Sequence, residues 1–268
     1  MDILTVNVGG SSVRLSLFNE QGEAVVSEHL ADGNVPAQAQ ELLARMVSSG
    51  AANVAMCHRV VHGGTAYTQP CLLDDAVEQA IRAHASLAPL HNPAALAWIA
   101  ACRRLYPEAT QVAVFDTCLY GDLPAIAARY AVPEAVSVKR LGFHGFAHRS
   151  MLAHVASVDP NYADARVISL QLGSGASVTA SKGGWVVDTS MGYTPLEGLM
   201  MNTRCGDVDA GFVLHLLRDR GMTAEAVDRL LSEQSGLQGV SGRSGDLETL
   251  VAIDGDQAKL AVAMYCYR

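Results

Sequence analysis

The sequence predicts an α/β protein of two duplicated domains, and three observations carry that reading. Strand-like runs alternate with segments of helical periodicity. A strand–glycine turn–strand unit at the N-terminus recurs well down the chain. At 268 residues the chain also exceeds the usual single-domain size. The expected domains are residues 1–118 and 119–268.

Ile3 to Val8 is a β-rich run that leads into Gly9-Gly10-Ser11-Ser12. An alternating run follows at Val13 to Phe18, then a polar turn at Asn19 to Gly22 and a third run, Ala24-Val25-Val26. Together they read as a β-meander. Residues 35–49 and 75–86 space their apolar positions as helices do. Val54 to Val61 and Gln111 to Phe115 read as strands, with a helix from Pro93 to Arg104 between them. The repeat begins at Val167 to Leu172, which runs into Gly173-Ser174-Gly175-Ala176-Ser177. A strand over Val178 to Ser181, a turn at Lys182-Gly183-Gly184 and a run from Trp185 complete it. Aligning Gly9 with Gly173 places Asn7 on Gln171, with one extra residue in the second turn. Two such hairpins facing each other could hold a polyphosphate, because glycine lets backbone N–H groups approach closely. They could also be two ordinary tight hairpins.

Composition narrows the function. Half the residues are hydrophobic and 17% are charged, which excludes a disordered chain. A net charge of −8 argues against nucleic acid or an anionic membrane as partner. An anionic small molecule would then need locally placed arginines, and 16 arginines stand against 3 lysines. The N-terminus lacks the basic segment of a signal peptide, and no apolar run nears the ~18 residues of a membrane span. Six scattered cysteines without a C-x-x-C pair suggest reduced thiols and a cytoplasmic location.

Several short segments point to chemistry. In His58-Arg59-Val60-Val61-His62-Gly63-Gly64, Arg59 beside paired glycines suits fork-like binding of a carboxylate or phosphate, or else a surface salt bridge. Leu90-His91-Asn92-Pro93 is a polar pair before a proline, suited to a rigid loop entering a helix. Asp116 follows an apolar strand, where α/β sheets bind ligands, or caps the next helix. His144 sits between glycines in Gly142-Phe143-His144-Gly145. Asp188 to Asp209 places Arg204 between acids that could be its structural partners. Ser235 to Asp246, taken purely as structure, reads as a flexible linker. His58/His62 and His144/His148 share an i, i+4 spacing, but no third ligand is spaced to complete a zinc site.

Taken in order, these blocks resemble the acetate kinase family, which includes propionate and butyrate kinases. The resemblance implies a two-domain actin-like ATPase (ribonuclease H-like) fold with duplicated domains, the second incomplete. It implies reversible transfer of the ATP γ-phosphate to acetate or propionate, giving acyl phosphate and ADP. By resemblance, Arg59 and Arg204 hold the carboxylate and the moving phosphoryl group, Asp116 is the essential acid, and His144 stabilises the transition state. Val61, Leu90, Phe143 and Pro195 match the pocket for the methyl end. Arg14, Gln171, Leu172, Gly173, Ser174, Gly175, Asp246, Leu247 and Glu248 match nucleotide contacts, and Asn7 lies by the Mg²⁺–phosphate site. The full-length family protein is a homodimer, with no nucleic acid or membrane partner.

The chain departs from that pattern in places. Gln171 and Ser174 stand where the family reads His-Leu-Gly-Asn-Gly. Arg14 replaces a lysine, and Glu248 replaces an arginine near the nucleotide. The sequence stops inside an expected helix that begins at Gln257. The family's later adenosine segment and Mg²⁺-binding glutamate have no counterpart in it. A weakly active or inactive kinase is therefore expected, the alternative being a non-catalytic carboxylate-binding remnant.

Overall fold

The structure, a computed structural model, describes residues 1–9, 12–30, 41–46, 54–88 and 91–268. It contains two compact units, Met1–Gly121 and Asp122–Arg268.

In the first unit, β1 (Asp2–Val8), β2 (Val13–Phe18) and β3 (Ala24–Leu30) form the expected meander. β4 (Val54–Val60), β5 (Cys71–Leu72) and β6 (Gln111–Phe115) extend it into a mixed sheet ordered β3-β2-β1-β4-β6-β5. β4 lies parallel to both β1 and β6, which requires helical crossovers. Residues 41–46 are helical (α1), and the rest of the helix expected over 35–49 lies outside the described residues. The helix expected over 75–86 is shorter: α2 covers Asp75–Ala83 and a separate 3₁₀ turn spans Ala85–Leu87. Asp74 begins α2 by accepting from the Val77 amide at 2.8 Å. α3 (Asn92–Leu105) starts with Pro93 in its first turn, where proline lacks nothing the helix needs.

Period-2 burial builds the first core. Leu4, Val6 and Val8 of β1 and Val13, Leu15 and Leu17 of β2 pack with Leu42, Leu43, Met46 and Trp98. A second cluster joins Val60, Ile81, Ile99, Ala113 and Phe115. Two sequence expectations fell short here. β3 runs on to Leu30, and β5, only two residues long, has no period to detect.

In the second unit, β7 (Arg166–Leu172), β8 (Ala176–Lys182) and β9 (Trp185–Thr189) form a second antiparallel meander. The repeat read from the sequence is thus a structural repeat. Its turn length is corrected: Val8 pairs with Val13 across the first turn and Leu172 with Ala176 across the second, so the second is one residue shorter. The buried positions here are largely hydroxyl side chains, Ser169, Ser177, Thr179, Ser181 and Thr189. Buried hydroxyls need partners, and a histidine of α5 (Gly145–Val158) supplies some of them.

After a short α4 (Ala125–Ala128) ahead of that sheet, helices dominate the remainder: α6 (Ala210–Arg218), α7 (Ala224–Glu233), α8 (Gly236–Ser241), α9 (Leu247–Ala252) and α10 (Asp256–Tyr267). The segment read as a flexible linker is in part α8, with Leu237 fully buried beside Met200, Leu250 and Ala261. Asp209, Thr223 and Asp246 cap α6, α7 and α9 through their side chains. No described helix is long and apolar enough to cross a membrane.

Candidate active site

Strand register assembles the first group of side chains. Asn7 on β1 is the register partner of Arg14 on β2 and of Arg59 on β4, so the three share one row across neighbouring strand ends. Asp116 follows the last residue of β6, and its amide donates to the Val60 carbonyl at 3.0 Å. Its carboxylate therefore stands beside Arg59 although the two are 57 positions apart. Arg59 Nε donates to Asp116 Oδ1 at 2.8 Å and Nη2 to Oδ2 at 2.6 Å, a bidentate pair. Nη1 donates to Asn7 Oδ1 at 3.1 Å and to the Val8 carbonyl at 3.2 Å. Asp116 is 2% exposed. Burial alone would lower the Arg59 pKa, but the bonds to Asp116 and its charge outweigh it and the net shift is upward.

Two alternatives left open by the sequence close here. Asp116 caps no helix, since the 3₁₀ turn after it, Cys118–Tyr120, has Thr117 in the cap position and no side-chain cap. Arg59 is no surface ion pair, because its partner is buried. Asn92 ties loop to helix, since its fully buried amide donates to the carbonyls of His62 (2.9 Å) and Ile81 (3.2 Å). Val61 is buried, whereas Leu90 lies outside the described residues.

A second group forms in the other unit. His144 precedes α5 in the left-handed region (φ 58, ψ 25), the one non-glycine residue with positive φ among those described. Such a conformation costs about 1–2 kcal/mol and is retained where the surroundings impose it. Here the amides of Leu141 and Gly142 donate to the Gly192 carbonyl, tying the turn to the Asp188–Asp209 segment. His144 Nδ1 lies 2.9 Å from Ser177 Oγ on β8. Arg204 Nη1 donates to the Pro195 carbonyl at 3.2 Å, and burial lowers the guanidinium pKa. His144 and Arg204 meet above Gly175. A methyl group there would lie 3.3 Å from His144 Nε2 and 3.4 Å from Arg204 Nη1. Phe143 is buried and Pro195 partly so.

The acids around Arg204 hold backbone. Asp207 accepts from the Gly198 amide at 2.8 Å and Asp209 from the Phe212 amide at 3.2 Å. Asp246 accepts from the Thr249 amide at 2.7 Å, with Leu247 and Glu248 in the first turn of α9. Arg140, which no sequence motif singled out, donates to the Thr189 carbonyl at 2.6 Å and pairs with Asp188 and Glu197. It lines a cavity of about 330 Å³ with Asp188, Glu197 and Asp207, among others, which shares no residue with the His144–Arg204 group. The i, i+4 histidines are hydrogen-bonded rather than metal-spaced: His58 to Gln111 and His148 to Ser169 and Ser177. Among the described residues, no three His, Cys, Asp or Glu side chains are grouped to hold a metal.

Gly236 supports the Arg204 turn from below. Its φ is +62, and a methyl there would fall 2.2 Å from the Met201 carbonyl oxygen and 2.8 Å from that of Arg204. Gly236→Ala is expected to lose more than about 2 kcal/mol and to depress turnover with it. A melt within about 2 °C of wild type would show that the turn yields.

The profile of the Acetokinase family matches residues 5–268. The chain belongs to that family. The acetate kinase of Pseudomonas aeruginosa (strain LESB58) is 41% identical over all of this chain and 76% of its own length. Among solved structures, a propionate kinase from Francisella tularensis subsp. tularensis SCHU S4 superposes with a TM-score of 0.87 at 31% identity, covering all of this chain and 77% of that one. The acetate kinase of Porphyromonas gingivalis gives 0.84 at 32% identity over the same shares. This acetokinase-family chain thus has the fold of carboxylate kinases and spans about three quarters of their length.

Proposed function

We propose that the chain moves the γ-phosphoryl group between ATP and a short carboxylate, acetate or propionate, giving acyl phosphate and ADP in the cytoplasm. A carboxylate nucleophile is already ionised at neutral pH and needs no general base. The observation that best supports this chemistry is the Arg59–Asp116 pair: each carboxylate oxygen accepts from the guanidinium, which supports a role for Asp116 in orienting Arg59 rather than in taking a proton. Catalysis then rests on positioning and on donors aimed at the equatorial phosphoryl oxygens, the roles we assign to Arg59, Arg204 and His144. Arg14, Asn7 and the Gly173–Gly175 turn are assigned to the nucleotide phosphates.

Mg²⁺ is read as part of the MgATP substrate. Asn7 Oδ1 accepts from Arg59 Nη1 at 3.1 Å and keeps one lone pair that could face the ion, and Mg²⁺ is commonly held by phosphate oxygens, water and few protein ligands. Bound with ATP, it would neutralise phosphate charge.

The test is hydroxylamine trapping of acyl phosphate by the purified chain. Acyl hydroxamate that requires ATP, Mg²⁺ and acetate or propionate together is the expected result. Calorimetric binding of the carboxylate without any hydroxamate would replace the kinase with a binding protein.

A further inference from the structure

A chain of buried side-chain hydrogen bonds runs from the β7–β8 pair through α5 and ends on His144. Ser169 Oγ donates to the Thr179 carbonyl at 3.4 Å. His148 Nδ1 lies 2.8 Å from Ser169 Oγ, and His148 Nε2 lies 2.8 Å from Ser177 Oγ. Ser177 Oγ in turn lies 2.9 Å from His144 Nδ1. Ser177 and His148 are fully buried and Ser169 nearly so.

The carbonyl end of the chain sets one direction for it. The Thr179 carbonyl only accepts, and if Ser169 gives it its single proton across 3.4 Å, the Ser169 oxygen accepts from His148 Nδ1–H. A neutral imidazole carries one N–H, so His148 Nε2 must accept, and it accepts from Ser177. With its proton spent, Ser177 can only accept from His144 Nδ1–H.

We propose that His148 is a positioning residue: through Ser177 it holds the proton of neutral His144 on Nδ1, so that Nε2, the nitrogen above Gly175, is the one that takes up a proton when His144 serves as a donor. Burial and the neighbouring His144 lower the His148 pKa to about 4, which keeps it neutral near pH 7. Gly175 leaves room for Nε2, since a methyl there would press on it at 3.3 Å. The left-handed backbone at His144 aims the ring into this arrangement. Its consequence for catalysis rests on the proposed function; the polarity of the relay does not.

Nitrogen NMR of the chain labelled with ¹⁵N-histidine reads the tautomer directly. Neutral His144 is expected with its proton on Nδ1 in the wild type. In Ser177→Ala the ring should lose that preference, with kcat falling about tenfold and the carboxylate KM unchanged. Ser169→Ala, whose site is removed from His144, should release the direction of the relay and mix the tautomers, and it decides the matter if Ser177→Ala does not fold. A wild-type ring protonated on Nε2 would reverse the polarity and overturn the proposal. So would a Ser177→Ala chain with unchanged tautomer and kcat. Absence of acyl phosphate from the wild type would refute the kinase reading alone, because the tautomer is measured without turnover.

Discussion

Replacing Asp116 with asparagine is expected to lower kcat for acyl phosphate formation by about 10²–10³-fold. The amide keeps the shape of the carboxylate, but its NH₂ must face either Nε or Nη2 of Arg59, both donors. One arm of the fork is then repelled and the guanidinium turns away from its fixed plane. The buried cation also loses its counter-charge. Removing one partner of a fully buried pair costs about 3–5 kcal/mol; with the Arg59 side chain a quarter exposed, about 2–3 kcal/mol is the better expectation. For a chain of this size that corresponds to a fall in Tm of roughly 5–10 °C. Hydroxamate kinetics beside a thermal melt check both quantities. Wild-type kcat in Asp116→Asn would remove Asp116 from the mechanism, whatever the melt shows.

Arg204→Ala should separate activity from stability more cleanly. Loss of a transition-state donor, the role proposed for Arg204, costs about 10²–10³-fold in kcat. Stability is expected to move by less than about 1 kcal/mol, for a physical reason. The guanidinium is desolvated, which lowers its pKa, and it bonds to a backbone carbonyl and to Met201 Sδ rather than to a carboxylate. Removing a poorly compensated cation relieves about as much free energy as its bonds supply. Such a residue contributes little to the fold around it, which favours a functional reason for its place. Arg204→Lys should not restore turnover, because a point charge cannot reproduce a planar fork. A kcat within threefold of wild type in Arg204→Ala would sink the assignment, as would a drop in Tm matching the loss of activity.

Much of the architecture was legible in the chain itself. The alternation of Leu4, Val6 and Val8 against Val13, Leu15 and Leu17 specifies the meander because the side-chain period of a strand is two. The second copy announces itself by the same pattern around Gly173 and Gly175, although its buried residues are serine and threonine. Arg59 and Asp116 could be singled out because each stands at or just beyond a strand end, where α/β sheets bind ligands, whereas Asn7 entered only through the family resemblance. Local chemistry marks two helix starts, since Asp74 caps α2 through its side chain and Pro93 sits in the first turn of α3.

What each side chain does was decided only by tertiary contacts. Asp116 read equally well as a helix cap until the parallel β4–β6 pairing set it against Arg59. Ser235 to Asp246 read as a linker because a six-residue helix is too short to show a period, yet burial of Leu237 holds it in place. His148 and Ser177 drew attention only as a spurious metal spacing and a turn residue. Their hydrogen bonds join positions 29 apart, and His144 reaches Ser177 across 33. Sequence periodicity reports which residues share a face within one element. The partner across the gap depends on register and on how a helix sits against a sheet, so the contact between His144 and Ser177 belongs to the folded chain alone.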